Sequence, residues 1–111
     1  MTETRSRFVC DMTALTREQR ERHAVLKASL ASSVLSRREL PDGYLFAIDP
    51  NGLSASEIDE WTGLETKCCP FFRLSHTKAE DTWNLRIEGT DVKPFIQIEF
   101  PEFFRKSPAT L

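Results

Sequence analysis

Two adjacent cysteines, Cys68 and Cys69, follow a glutamate and precede a proline in the stretch LETKCCPFF. Thiolate sulfur and carboxylate oxygen are both ligands of metal ions, and sulfur favours the soft and borderline ones. The chain has one further cysteine, Cys10. The chemistry open to the protein therefore depends on whether the fold brings these few side chains together.

Glu65 lies on the apolar face of the helix that the sequence predicts around it. At about 100° per residue, the same arc contains Ile58, Trp61, Leu64, Cys68 and Cys69. A buried carboxylate needs a cation, a strong donor or a proton, because its removal from water is costly by several kcal/mol. Glu65 is also within side-chain reach of both neighbouring cysteines. The pattern therefore predicts a sheltered carboxylate beside sulfur.

These side chains predict a site for a thiophilic ion. Cys10 precedes the first predicted helix, and the fold can bring it alongside the cysteine pair. Three thiolates with a carboxylate suit zinc, copper(I), mercury(II) or arsenic(III). His76, on the inward side of a predicted strand, is a further candidate ligand. The predicted metal ligands are Cys68, Cys69, Cys10, Glu65 and His76, and the predicted cofactor is zinc or another thiophilic metal ion.

Two physical arguments oppose this site. Neighbouring residues on a helix project in different directions, so two adjacent cysteines chelate one ion poorly unless the helix breaks there, as Pro70 allows. The C-terminal end of a helix also carries partial negative charge, which disfavours a thiolate. A metal ion or Lys67 would have to offset that charge.

Two other functions stay open. Buried cysteine packs as a small hydrophobic residue, so the chain can equally be a non-catalytic, dimeric interaction module whose cysteines belong to the core. In a redox protein, one thiol of the pair is oxidised and Cys10 resolves it, because adjacent cysteines close only a strained ring. His23, at the polar start of a helical stripe, is interpreted as a boundary residue.

The local signals predict an α+β fold ordered helix, hairpin, helix, hairpin, helix. Capping boxes at Thr16 and Ser54 start the first two helices, and Pro41-Asp42-Gly43 makes the first hairpin turn. The predicted elements are helices from Arg17 to about Ser33, from Ala55 to about Cys69 and near Val92 to Phe100, and strands at 34–40, 44–48, 72–77 and 83–88. A four-stranded, mainly antiparallel sheet with helices on one face accommodates them. The apolar segment 100–104 is expected to cover the sheet or to form a dimer contact.

Size and charge limit the remaining possibilities. The 111 residues predict one domain, with residues 1–7 and 105–111 loose. With a net charge of −2, the chain lacks the excess of positive charge that is typical of nucleic-acid binding. No apolar run predicts a membrane span or a signal peptide. Three cysteines do not form a secreted disulfide framework, so we expect cytoplasmic thiols. The expected partners are a metal ion and a second copy of the chain, and whether the protein is an enzyme stays open.

Three motifs carry a resemblance to a known group. They are ELPDGYLFAI at 39–48, W-x-x-L-E-x-x-C-C-P-F-F at 61–72 and WNLRIEGTDVKPFI at 83–96. The chain resembles small bacterial proteins of unassigned function that share a Cys-Cys-Pro-Phe (CCPF) motif, from about Cys10 to Phe100. The group also has a cysteine before the first helix, and it more often has an aromatic residue where this chain has Leu74. The resemblance supports the fold and the cysteine–glutamate grouping and implies no activity.

Overall fold

The computed structural model describes residues 10–105, and in that part of the chain it has three α-helices and four strands. The helices are α1 (Arg17–Ser32), α2 (Ala55–Cys68) and α3 (Lys93–Glu99), and the strands are β1 (Val34–Leu40), β2 (Gly43–Ile48), β3 (Arg73–Lys78) and β4 (Trp83–Glu88). Short 3-10 turns lie at Met12–Ala14 and Pro101–Phe104. The predicted α+β class and element order are confirmed. Of the predicted loose ends, all but Arg105 lie outside the described residues.

The strands form one antiparallel sheet in the order β1-β2-β4-β3. The two hairpins join through their second strands, where Tyr44 and Phe46 of β2 face Ile87 and Leu85 of β4. These four side chains are buried in one core with residues from all three helices. The sheet is therefore closed by helices on one side, as the sequence predicts.

Local capping fixes where the first two helices begin. The Thr16 hydroxyl accepts a hydrogen bond from the Gln19 backbone N–H, and the Gln19 side chain accepts one from the Thr16 N–H. Ser54 and Glu57 repeat this reciprocal arrangement at the start of α2. Because the first residue of each helix is fixed, the residues on the face that each helix presents to the other are fixed as well.

The aromatic segment after α3 covers the sheet. Phe100 and Phe103 are buried, and the ring of Phe104 packs edge-on against Tyr44 and Phe46 with centroids 4.9 and 5.5 Å apart. This contact is one of the two roles that the sequence predicts for the segment. Among the described residues, no helix is both long enough and apolar enough to cross a membrane.

Candidate metal centre

Helix α2 ends at the cysteine pair. Cys68 is its last residue, and Cys69 caps it with φ −131° and ψ 69°, outside helical geometry. The proline that follows disfavours helical geometry at Cys69. The two sulfur atoms consequently lie 3.7 Å apart. The objection that helical neighbours point in different directions does not apply, because the helix breaks between them.

The segment before α1 packs against this end of α2. The backbone N–H of Asp11 donates to the carbonyl of Cys68 at 2.7 Å, and Cys10 forms a disulfide with Cys69, 59 residues away. The prediction that Cys10 lies beside the pair is confirmed. The prediction of three thiols is wrong for Cys10 and Cys69, because the fold brings their Cα atoms to 4.6 Å, within the usual range for a disulfide. The redox hypothesis expects Cys10 to form a disulfide with one cysteine of the pair, and the Cys10–Cys69 bond is such a disulfide.

Glu65 is fully buried, as its place on the apolar face predicts. The Nε2–H of His23 donates to its Oε1 at 2.6 Å. The imidazole is itself buried, with a 6.1 Å centroid distance to Trp61 and a 27° angle between the rings. The other carboxylate oxygen, Oε2, is buried and has no hydrogen-bond partner among the described residues. The carboxylate therefore has one oxygen positioned by a histidine and one oxygen available to a ligand.

His23 is the member of this cluster that the sequence interpretation missed. The prediction that it is a boundary residue at the polar start of the stripe is wrong, because His23 is buried on α1 beside Leu26 and Leu30. The signal was present in its spacing, since His23 shares a helical stripe with those two leucines. A histidine on one apolar helix face and a glutamate on another are natural partners when the two faces pack together.

Two groups of possible metal ligands meet at Glu65. One consists of Cys10, Glu65 and Cys69, and the other of His23, Glu65 and Cys68. Within each group the ligand atoms lie within 4.8 Å of one another. The cysteine pair links the two groups, because the sulfurs of Cys68 and Cys69 lie 3.7 Å apart. Two sulfurs bound to one tetrahedral zinc ion lie about 3.8 Å apart, which is nearly the same distance.

Cys68 is a buried free thiol. Burial, followed by the nearby charge of Glu65, raises the pKa of Cys68 from 9.0 to about 11. At neutral pH the thiol is therefore protonated, which makes it a poor nucleophile. A metal ion that binds Cys68 must displace this proton, so its affinity would increase with pH.

His76 lies apart from the sulfur atoms. Its Nε2–H donates to Oδ1 of Asp59 on α2 at 2.6 Å, and its ring contacts Trp83 with centroids 5.9 Å apart. Within residues 10–105, neither group of possible ligands includes His76. The structure thus places four of the five predicted ligands in two groups that share Glu65, and it adds His23 to one of them.

Comparison of the chain with protein-family models, with curated proteins and with solved structures finds no match. The resemblance to the CCPF group therefore stays a prediction. The arrangement of the described side chains is therefore the basis for assigning a function.

Proposed function

We propose that the chain binds one thiophilic metal ion, of which zinc is the representative, through Cys10, Cys68, Cys69 and Glu65. We call these four residues the metal centre. The observation that supports the proposal is a fully buried carboxylate with an unpartnered oxygen, placed among sulfur atoms. A buried carboxylate with one unpartnered oxygen is costly, and a bound cation would offset that cost.

The donor set determines the class of ion. Thiolate ligands favour zinc, copper(I) and other soft or borderline ions over magnesium or calcium, which prefer oxygen. The separation of the Cys68 and Cys69 sulfurs matches one edge of a tetrahedron around zinc. When bound, the ion would supply positive charge at the centre and would hold the thiolates deprotonated.

His23 has a supporting role in this proposal. Its hydrogen bond to Oε1 orients the Glu65 carboxylate and leaves Oε2 free to bind the ion. Residues that orient metal ligands in this way commonly change metal affinity by about 10- to 100-fold when they are replaced. The same effect is expected for His23→Gln.

Titration of the fully reduced, chelator-treated protein with zinc tests the proposal. We expect one ion per chain, counted by native mass spectrometry, and strong ultraviolet absorption from sulfur–metal charge transfer when cadmium replaces zinc. The Cys68→Ser/Cys69→Ser variant should lose both signals. Equal and negligible uptake by the wild-type protein and the variant would refute the proposal.

Two substitutions test whether zinc binding depends on the metal centre or on another residue that contacts helix α2. His76→Gln removes the histidine that contacts Asp59 and leaves the sulfur cluster unchanged, so it should bind zinc like the wild type. Glu65→Gln keeps the size of the side chain and removes its charge, and it should weaken binding by at least about tenfold. A large loss of affinity in His76→Gln would return His76 to the set of ligands.

A second candidate, thiol–disulfide redox chemistry, is favoured by the Cys10–Cys69 bond. In that function the pair cycles between disulfide and dithiol, and no metal is needed. Treatment of the reduced, metal-free protein with peroxide should then remove the Cys10 and Cys69 thiols and leave Cys68 free. Loss of all three thiols at equal rates would contradict it.

We also propose kinship to the CCPF group, which the three sequence motifs support, together with a cytoplasmic location and a homodimer. Analytical ultracentrifugation tests the dimer directly. If the cysteines serve only the core of an interaction module, then the double serine variant should lose stability and zinc should have no effect on either protein.

A further inference from the structure

The two sulfurs of the disulfide differ in their access to solvent. Cys69 is fully buried, whereas Cys10 is partly exposed at the edge of the core. Thiol–disulfide exchange requires an external thiolate to reach one of the two sulfur atoms. Reaction from solvent is therefore directed to the sulfur of Cys10.

We infer that small thiols react at Cys10 and, by breaking the Cys10–Cys69 bond, make the ligands of the metal centre available to an ion. This inference rests on the proposed function. A thiolate of the glutathione type attacks the Cys10 sulfur, the Cys10–Cys69 bond breaks, and its electron pair leaves with the Cys69 sulfur, which takes up a proton or binds the ion. A second small thiolate then attacks the outer sulfur of this mixed disulfide, which belongs to the first small thiol, and the electron pair leaves with the Cys10 sulfur, which takes up a proton or binds the ion. The net change oxidises two small thiols to one disulfide and reduces the protein disulfide to two thiols.

The disulfide and the metal centre exclude each other because they use the same atoms. Two of the three proposed sulfur ligands, Cys10 and Cys69, are joined in the oxidised protein. Among the described cysteines, only Cys68 then keeps a free thiol. Oxidised protein should therefore bind zinc at least about 100-fold more weakly than reduced protein, since two ligands are lost.

Zinc should in turn favour the reduced protein. Exchange at Cys10 leaves a new sulfur anion at Cys69, near the buried Glu65 carboxylate. A bound cation would stabilise that anion, and a ligand that binds one state stabilises that state. In a glutathione buffer of fixed composition, added zinc should therefore increase the reduced fraction of the protein.

The site of exchange is tested by brief incubation of the oxidised protein with glutathione, followed by acid quenching, alkylation and peptide mass analysis. We expect the glutathione adduct on Cys10. Cys68→Ala is the control, because it keeps the disulfide and should give the same adduct. An adduct mainly on Cys69 or Cys68 would overturn the inference.

Zinc titrations of oxidised and reduced protein separate the two claims. Strong binding by the reduced form alone supports both. Equal binding by both forms would overturn the inference, and it would mean that the metal site uses ligands other than Cys10 and Cys69. Absence of binding by the reduced form would refute the proposed function, and with it the control that Cys10 exerts.

Discussion

Helix α2 carries two carboxylates that each accept a hydrogen bond of 2.6 Å from a histidine. Glu65 pairs with His23, and Asp59 pairs with His76. In the first pair the carboxylate side chain is 1% exposed, and in the second it is 72% exposed. The two hydrogen bonds have the same length, and only their surroundings differ.

The comparison shows that burial, rather than distance, gives such a pair its importance. Water solvates the Asp59 carboxylate whether or not His76 is present, so an exposed pair typically contributes less than about 1 kcal/mol. The Glu65 carboxylate has no such alternative, and removal of its partner leaves an unpaired charge in the core. The buried pair is also the one beside the sulfur atoms, which makes it the pair that a cation can use.

The largest expected effect is that of His23→Leu, which removes the donor to Glu65 and largely keeps the volume. We expect the free energy of unfolding to fall by about 3–5 kcal/mol, because the buried carboxylate loses its partner. Urea denaturation measures the loss, with His76→Leu as the matched variant at the surface pair. Similar losses in both variants would break the distinction between the two pairs.

The second largest effect on stability is expected from removal of the disulfide. Cys10→Ser should lower the free energy of unfolding by about 2–4 kcal/mol under oxidising conditions, because the bond restricts the unfolded chain over a long loop. The measurement is thermal or urea unfolding with and without reductant. With reductant and chelator present, the wild type should lose most of its advantage over the variant. An advantage that reductant leaves unchanged would show that the difference in stability does not come from the disulfide.

Alkaline pH should reveal the raised pKa of the Cys68 thiol, which burial causes first and the charge of Glu65 second. The folded, metal-free protein holds the Cys68 proton more tightly than the unfolded chain does, since its pKa rises from 9.0 to about 11. This contribution to stability is fully present below pH 9.0 and is lost as the pH rises toward about 11. We expect a loss of roughly 2 kcal/mol over this range. Cys68→Ala should lack this part of the slope, and identical slopes would contradict the assignment.

The smallest effect is expected for Asp59→Asn at the surface pair. The free energy of unfolding should change by less than about 1 kcal/mol, because water solvates the exposed Asp59 carboxylate. The same urea experiment measures the change, and added salt should reduce it further. A loss comparable to that of His23→Leu would mean that His76 depends on Asp59 as strongly as Glu65 depends on His23.

The fold was predictable because its signals are local. The Thr16 and Ser54 capping boxes and the Pro41-Asp42-Gly43 turn each involve residues within four positions of one another. The alternation along β4 identifies its buried face in the same way, with Leu85 and Ile87 turned inward. Such patterns determine an element without knowledge of its neighbours.

The site was predictable only in part, because its contacts join distant residues. The helical positions of Glu65 and the cysteine pair follow from spacing along α2 alone. The contact between His23 and Glu65 spans 42 positions and depends on how α1 packs against α2. The Cys10–Cys69 bond likewise depends on the docking of the short turn before α1. Spacing can nominate such residues, but tertiary packing decides which of them meet.

The covalent link between positions 10 and 69 encloses α1, the first hairpin and the whole of α2 in a single ring. A protease that cuts the exposed turn at Pro41-Asp42 would therefore produce no separate fragments while the bond is intact. The nicked chain would run as one species on a non-reducing gel and as two pieces after reduction. Its redox state can thus be seen from its fragments.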